Sequence, residues 1–202
     1  MRTGPFGDRY GENSDGLTLD KLKAQPNGVN FGPMIPQVPK VLGTSAGKIR
    51  LAPQYLIDDL PRLAARLGRA PDELVLVSRR HLRSNNSWLH NVGPLMKGRD
   101  RCTLLMHNDD AKRREVESGD LVTVTSSDGH IEVPVEVTDA IMPGVVSMPH
   151  GWGHGKTGTR MTVANGSPGV NTNVLSPPTF IDEPSGNGAL NGIPVTVTPT
   201  RT

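Results

Sequence analysis

"LVTVTSSDGHIEVPVEVTD", residues 121 to 139, alternates apolar and polar side chains on both sides of Ser127-Asp128-Gly129. Ile131, Val133, Val135 and Val137 share one face of its second half, and Glu132 and Glu136 share the other. Successive side chains of a strand point to opposite faces, so this pattern is a hairpin with one buried side and a tight polar turn. Working outward, "LVLVS" (74–78), "CTLLMH" (102–107), "GVVSM" (144–148) and "GIPVTVT" (192–198) read as four more short strands. "DDAKRREVESGD" (109–120) predicts a short helix, capped near Asp109 or Asp110 and ended by Gly119. "APQYLIDDLPRLAARLG" (52–68) predicts another: Leu56, Leu60, Leu63 and Leu67 fall at helical spacing, to pack on a neighbour, and Gly68 stops it. Six strands with so few helices leave no room for repeated strand–helix–strand units. The expected fold is mainly β, a closed six-stranded barrel with one or two short helices.

Composition agrees. Only 35% of the 202 residues are hydrophobic and 3% aromatic, while 23 Gly and 18 Pro make up about a fifth of the chain. Residues 1 to 53 hold eight of those glycines and six of the prolines, and "PNGVNFGPMIPQVPK" (26–40) cannot form a regular element. The expected organisation is a loop-rich extension with one helix over 1–73, then the barrel over 74–202. A net charge of +2 gives no reason to expect nucleic acid or an anionic membrane as partner. The single cysteine, Cys102, excludes an internal disulfide and a cysteine-built iron–sulfur or zinc site within the chain. There is no membrane span and no signal-peptide core, so the expectation is a cytoplasmic protein with a reduced thiol.

Four stretches concentrate polar chemistry. "HGWGHGKTG" (150–158) could close a phosphate loop, hold a metal through His150 and His154, or form a glycine-built wall beside a flat ligand. The phosphate loop fails because three residues, not four, separate Gly151 from Gly155 and no helix follows. The metal fails because glycines break the helix that would put both histidines on one face, and no nearby Cys, Asp or Glu completes a shell. A solvated glycine loop is the bland alternative, against which stands Trp152, a residue such loops seldom contain. "SRRHLRSNNSWLHNVGPLMKGRDR" (78–101) carries six basic residues and one acid directly after a strand. Its arginines suit phosphate oxygens, Asn85, Asn86, Ser87 and Asn91 suit a heterocycle edge, and Trp88 can pack. Asn108 and Asp110 in "MHNDDAK" (106–112) are explained as a helix cap or as partners of a guanine edge. Asn171 and Asn173 in "GVNTNVLSP" (169–177) fit turn formation as well as ligand binding. Nowhere is there a nucleophile–base pair, a carboxylate pair or a metal shell, so no residue is assigned as catalytic or metal-ligating.

In order, "LVSRRHLRSNNSWLHN", "LLMHNDDAKRREVESGDLVTVTSSDG", "VPVEVTDAIMPGVVSMPHGWGH", "GVNTNVLS" and "DEPSGNGALNGIPVTV" resemble the C-terminal domain of molybdopterin oxidoreductases of the dimethyl sulfoxide reductase type, which includes formate dehydrogenases and nitrate reductases. The likeness covers residues 74 to 198. It implies a double-psi β-barrel that binds molybdopterin guanine dinucleotide, with molybdenum or tungsten in the intact protein. By motif, Ser78, Arg79, Arg80, Ser87, Trp88, His90 and Asn91 would lie along the dinucleotide, and Asn108 and Asp110 at its guanine. His150, Gly151, Trp152 and His154 would line its flank. Asn171 and Asn173 would reach a pterin, with Ser185 and Gly186 in a closing loop. The metal ligand and any iron–sulfur cluster would come from other domains of a parent enzyme acting on a small-molecule substrate, so the chain alone would be inactive. Many relatives carry Gly-Arg where this chain has Ser78-Arg79-Arg80, which leaves open which arginine faces the cofactor. The rival expectation is a free-standing double-psi barrel that binds a nucleotide or a protein partner with no redox role. A further rival, a hydrolase built on His150 and His154, would need zinc.

Overall fold

The computed structural model describes residues 1–69 and 73–200. Contacts divide the chain into two units, Met1–Leu51 and Ala52–Thr202. In the first, α1 (Leu19–Ala24) is capped by Thr18, whose hydroxyl accepts from Lys21 N at 3.1 Å. Arg2 clamps the Asp8 carboxylate at 2.8 and 2.6 Å, and Phe6 stacks on Phe31 at 4.4 Å. Most of the rest is turn and loop.

The second unit opens with α2 (Gln54–Ile57) and α3 (Leu60–Leu67), where the leucine spacing predicts one continuous helix. Pro61 sits in the first turn of α3, where its missing N–H does no harm, but that amide cannot extend α2. Nor do the leucines pack into a core: Leu60, Leu63 and Leu67 are 51%, 51% and 78% exposed.

Six strands then close a barrel: β1 (Leu74–Arg79), β2 (Leu104–Met106), β3 (Leu121–Thr125), β4 (His130–Val137), β5 (Val145–Pro149) and, after a small separate pair β6 (Ile181–Asp182) and β7 (Asn187–Gly188), β8 (Ile193–Pro199). The order around the barrel is β1-β5-β2-β4-β3-β8, with β1–β5 and β2–β4 parallel and the other four pairs antiparallel. This is a double-psi β-barrel, whose closure leaves none of the six strands with an open edge. The hairpin forms as its period-two pattern requires. Ile131, Val133 and Val135 point inward beside Val122 and Val124, and the turn is closed by Ser126 N donating to Gly129 O at 2.9 Å. Leu74, Leu76, Leu104, Met106, Val146, Met148, Ile193, Val195 and Val197 complete the interior. Each such side chain stabilises the barrel by roughly 1.5–3 kcal/mol relative to exposure.

The remaining helices are short: α4 (Gly93–Met96), α5 (Asn108–Arg114) and α6 (Thr162–Asn165). Helix α6 lies where the sequence pattern predicts none, though four residues are too few to serve a phosphate loop. Helix α5 begins earlier than predicted, capped by His107, whose Nδ1 accepts from Asp109 N at 3.1 Å. It ends at Glu115 in a left-handed conformation, four residues before Gly119. Asp110 is fully buried and accepts from Arg113 and, at 2.8 Å, from Gly144 N, which ties α5 to the turn before β5. Asp110→Ala should therefore destabilise the chain by about 2 kcal/mol, less than for a fully buried ion pair because Arg113 is largely exposed. Chemical denaturation compared with Asp110→Asn, which keeps an acceptor for Gly144, checks this.

Candidate functional site

In the parallel register Ser78 lies beside Met148 and Arg79 beside Pro149, so Arg80 and His150 leave the sheet next to each other. A cleft of about 360 Å³ opens there, within the size range of small-molecule sites. Leu76, Met148 and Ile193 form its apolar floor; Ser78, Arg80, Asn86, His150, Asn173 and Asn191 are among its polar walls. Among the described residues no Asp or Glu lines it, which suits an anionic ligand.

The polar walls are wired together. Ser78 Oγ is 3.0 Å from His150 Nδ1, and His150 Nε2 is 2.7 Å from Asn86 Oδ1. Arg80 donates to that same oxygen at 2.8 Å, while Asn191 Oδ1 accepts from Ser78 N at 2.7 Å. Arg79 falls on the opposite face of β1 and donates across the barrel end to the carbonyls of Ser147 and Thr103. Burial holds its guanidinium below the usual value. Arg80, then, is the arginine that faces the cleft.

The glycines of "HGWGHG" let protein loops meet. Gly151 has φ +89°, and a Cβ there would lie 2.6 Å from the Asn86 carbonyl and 2.9 Å from Ser87 N. Gly153 has φ +108°, and its Cβ would lie 2.7 Å from Asn171 Cβ. The backbones these glycines admit belong to the chain itself, and the contact at Gly151 is what brings Asn86 to His150. Asn85 and Asn86 also take positive φ, of 41° and 60°, a conformation that asparagine tolerates better than most residues.

Behind this wall His90, Trp152 and His154 form a buried cluster. His90 Nδ1 is 2.8 Å from His154 Nε2, and the His90 ring lies 4.1 Å from that of Trp152. Burial, then the neighbouring His154 and Arg101, pushes His90 down to about 4; burial also lowers His154.

The other candidates lie apart from the cleft walls. Asn91 accepts from Val163 N and Ala164 N at the start of α6, and Asn171 accepts from Asn173 N. Trp88 is 79% exposed, and Ser87 is partly buried beside Gly151. Asn108 and Asp110 belong to α5, and Ser185 and Gly186 form the exposed turn between β6 and β7. Asn191, Thr172 and Ser176 line the cleft without a sequence motif that singles them out. Asn191 stands in an Asn-Gly pair, which reads as a turn and hides its second role.

A family model described as the molydopterin dinucleotide binding domain matches residues 74–194, the span from β1 into β8. The chain belongs to this family. Its barrel is accordingly a binding domain for a molybdopterin dinucleotide cofactor. Among curated relatives it is 39% identical over 74 residues to a dimethyl sulfoxide/trimethylamine N-oxide reductase of Rhodobacter capsulatus, covering 37% of this chain and 9% of that protein. It is 25% identical over 126 residues to a tetrathionate reductase polypeptide of Salmonella typhimurium, covering 54% of this chain and 12% of the relative. The chain thus spans about a tenth of the length of these relatives. The solved structure of acetylene hydratase from Pelobacter acetylenicus shares the fold, with a TM-score of 0.55 and 23% identity, over 71% of this chain and 20% of that one.

Proposed function

We propose that residues 74–202 form the C-terminal cofactor-binding domain of a larger molybdenum-dependent oxidoreductase, residues 1–73 being the tail of its preceding region. The cofactor we assign is the guanine form of the dinucleotide, carrying molybdenum or tungsten. The observation that carries this reading is the convergence of Ser78, Arg80, Asn86, His150, Asn173 and Asn191 on one cleft that has no carboxylate among the described residues. That donor set fits a phosphorylated, carbonyl-bearing heterocycle: Arg80 suits a phosphate oxygen, and the asparagines and Ser78 suit a ring edge. When bound, the cofactor supplies the two-electron redox chemistry, and the protein supplies position. Here Ser78, Asn86 and His150 would fix the ligand's orientation, and Leu76, Met148 and Ile193 would keep water from its underside.

The metal ligand, any iron–sulfur cluster and most of the substrate pocket are assigned to the parent's other domains, so the chain alone should show no redox turnover. Calorimetric titration with molybdopterin guanine dinucleotide tests the reading. Saturable one-to-one binding is expected, weakened about tenfold by Arg80→Ala through loss of a charge-assisted contact. No heat of binding at millimolar ligand would overturn it.

A further inference from the structure

Two asparagines of the cleft have their side-chain oxygens engaged within the protein, Asn86 Oδ1 by two donors and Asn191 Oδ1 by one. A guanidinium can only donate, so the Asn86 atom facing Arg80 must be the carbonyl oxygen. The His150 Nε2 that meets the same oxygen must then carry a hydrogen. In the neutral ring that leaves Nδ1 as an acceptor, and it receives the Ser78 hydroxyl hydrogen. Asn191 Oδ1 is likewise held by a backbone donor, Ser78 N. The amide NH₂ groups of Asn86 and Asn191 have no acceptor among the described residues, and both residues line the cleft. Ser78, its hydrogen given to His150, offers lone pairs. The wall at Asn86, Asn191 and Arg80 therefore presents amide and guanidinium donors beside the Ser78 hydroxyl acceptor, with Thr172, Asn173 and Ser176 lining the rest of the cleft.

We infer that Asn86 sets the hydrogen-bond polarity of the cleft, making it a reader of the carbonyl-bearing edge of a 2-amino-4-oxopyrimidine ring, the ring shared by guanine and pterin. This rests on the cleft being the dinucleotide site. The guanine edge places a ring nitrogen acceptor beside a carbonyl acceptor, and the pterin ring does the same; the matching edge of adenine places an amino donor beside its ring nitrogen. Donors from Asn86, Asn191 and Arg80 match the first pattern and oppose the second. The Ser78 oxygen can accept a ring N–H.

The test titrates the full 202-residue chain with guanosine diphosphate, 6-hydroxymethylpterin and adenosine diphosphate, alongside the complete dinucleotide. Guanosine diphosphate or the pterin should bind about tenfold or more tightly than adenosine diphosphate. The tighter of the two identifies the end of the cofactor that occupies the cleft. Asn86→Asp keeps an acceptor for Arg80 and His150 but removes the NH₂ donor, so it should abolish this preference while leaving the His150 tautomer unchanged. Nitrogen-15 NMR of the wild-type chain should show His150 protonated at Nε2 and bare at Nδ1, a readout that needs no variant. Equal affinity for adenine and guanine or pterin ligands, binding of none of them, or a His150 protonated at Nδ1 would overturn the inference. If the dinucleotide binds but the ring preference is absent, the inference falls and the functional reading stands. If the dinucleotide does not bind at all, the functional reading falls and the inference falls with it.

Discussion

Lowering the pH from about 6.5 to about 4 should cost the folded chain about 3 kcal/mol of stability through His90 alone. The sign follows from the direction of the shift. His90 is held down to about 4 by burial and by the nearby His154, Arg101 and His81, whereas in the unfolded chain it titrates near 6.5. Between those values the unfolded state binds more protons than the folded one. Stability therefore rises with pH across the window, by at most about 1.4 kcal/mol per unit, and is lost as the pH falls. His154, also depressed by burial, acts in the same direction. Structurally, a proton on His90 would place a charge in a cluster closed by Trp152, with a second imidazole 2.8 Å away. Denaturant unfolding at half-unit pH steps would show this. The wild-type slope should be steep between pH 6.5 and 4 and clearly shallower in His90→Gln, and a slope unchanged by that substitution would refute the assignment.

Gly151→Ala is the second large effect, expected to destabilise by about 3 kcal/mol and to abolish ligand binding. Its φ of +89° strains any residue with a Cβ, and that Cβ would meet peptide backbone at 2.6 Å, where no side-chain rotation gives relief. The loop carrying Asn86 would have to retreat, which breaks its contact with His150 and scatters the cleft wall. Gly43→Ala is the control: its φ is not positive and nothing lies within 4 Å of the added carbon, so its stability should stay within about 0.5 kcal/mol of wild type. Thermal unfolding of the two variants side by side makes the comparison.

The barrel was legible because its strands obey simple alternation, and each of the six predicted strands is present. The helices were less so. Four-residue turns such as α4 and α6 are too short to show a period, and the leucine spacing over 56–67 continues through a break that Pro61 imposes. Among the candidate residues, sequence could place Ser78, Arg80 and His150 at strand ends, where a parallel register then joined them. It could not show that Arg79 turns to the other face. Nor could it show that the glycines at 151 and 153 admit Asn86 and Asn171, since close approach between distant segments leaves no local mark. Asn191 was concealed by its own turn signature. His90 and His154, 64 residues apart in the chain, meet only through the fold.

The most direct test is a two-dimensional NMR titration of the chain with molybdopterin guanine dinucleotide, following backbone amides and the asparagine side-chain NH₂ signals. Perturbations concentrated at Ser78, Arg80, Asn86, His150, Asn173 and Asn191, saturating at one equivalent, are the expected result. Perturbations centred instead on Asn108 and Asp110 of α5 or on Ser185 and Gly186, with the cleft residues silent, would contradict it.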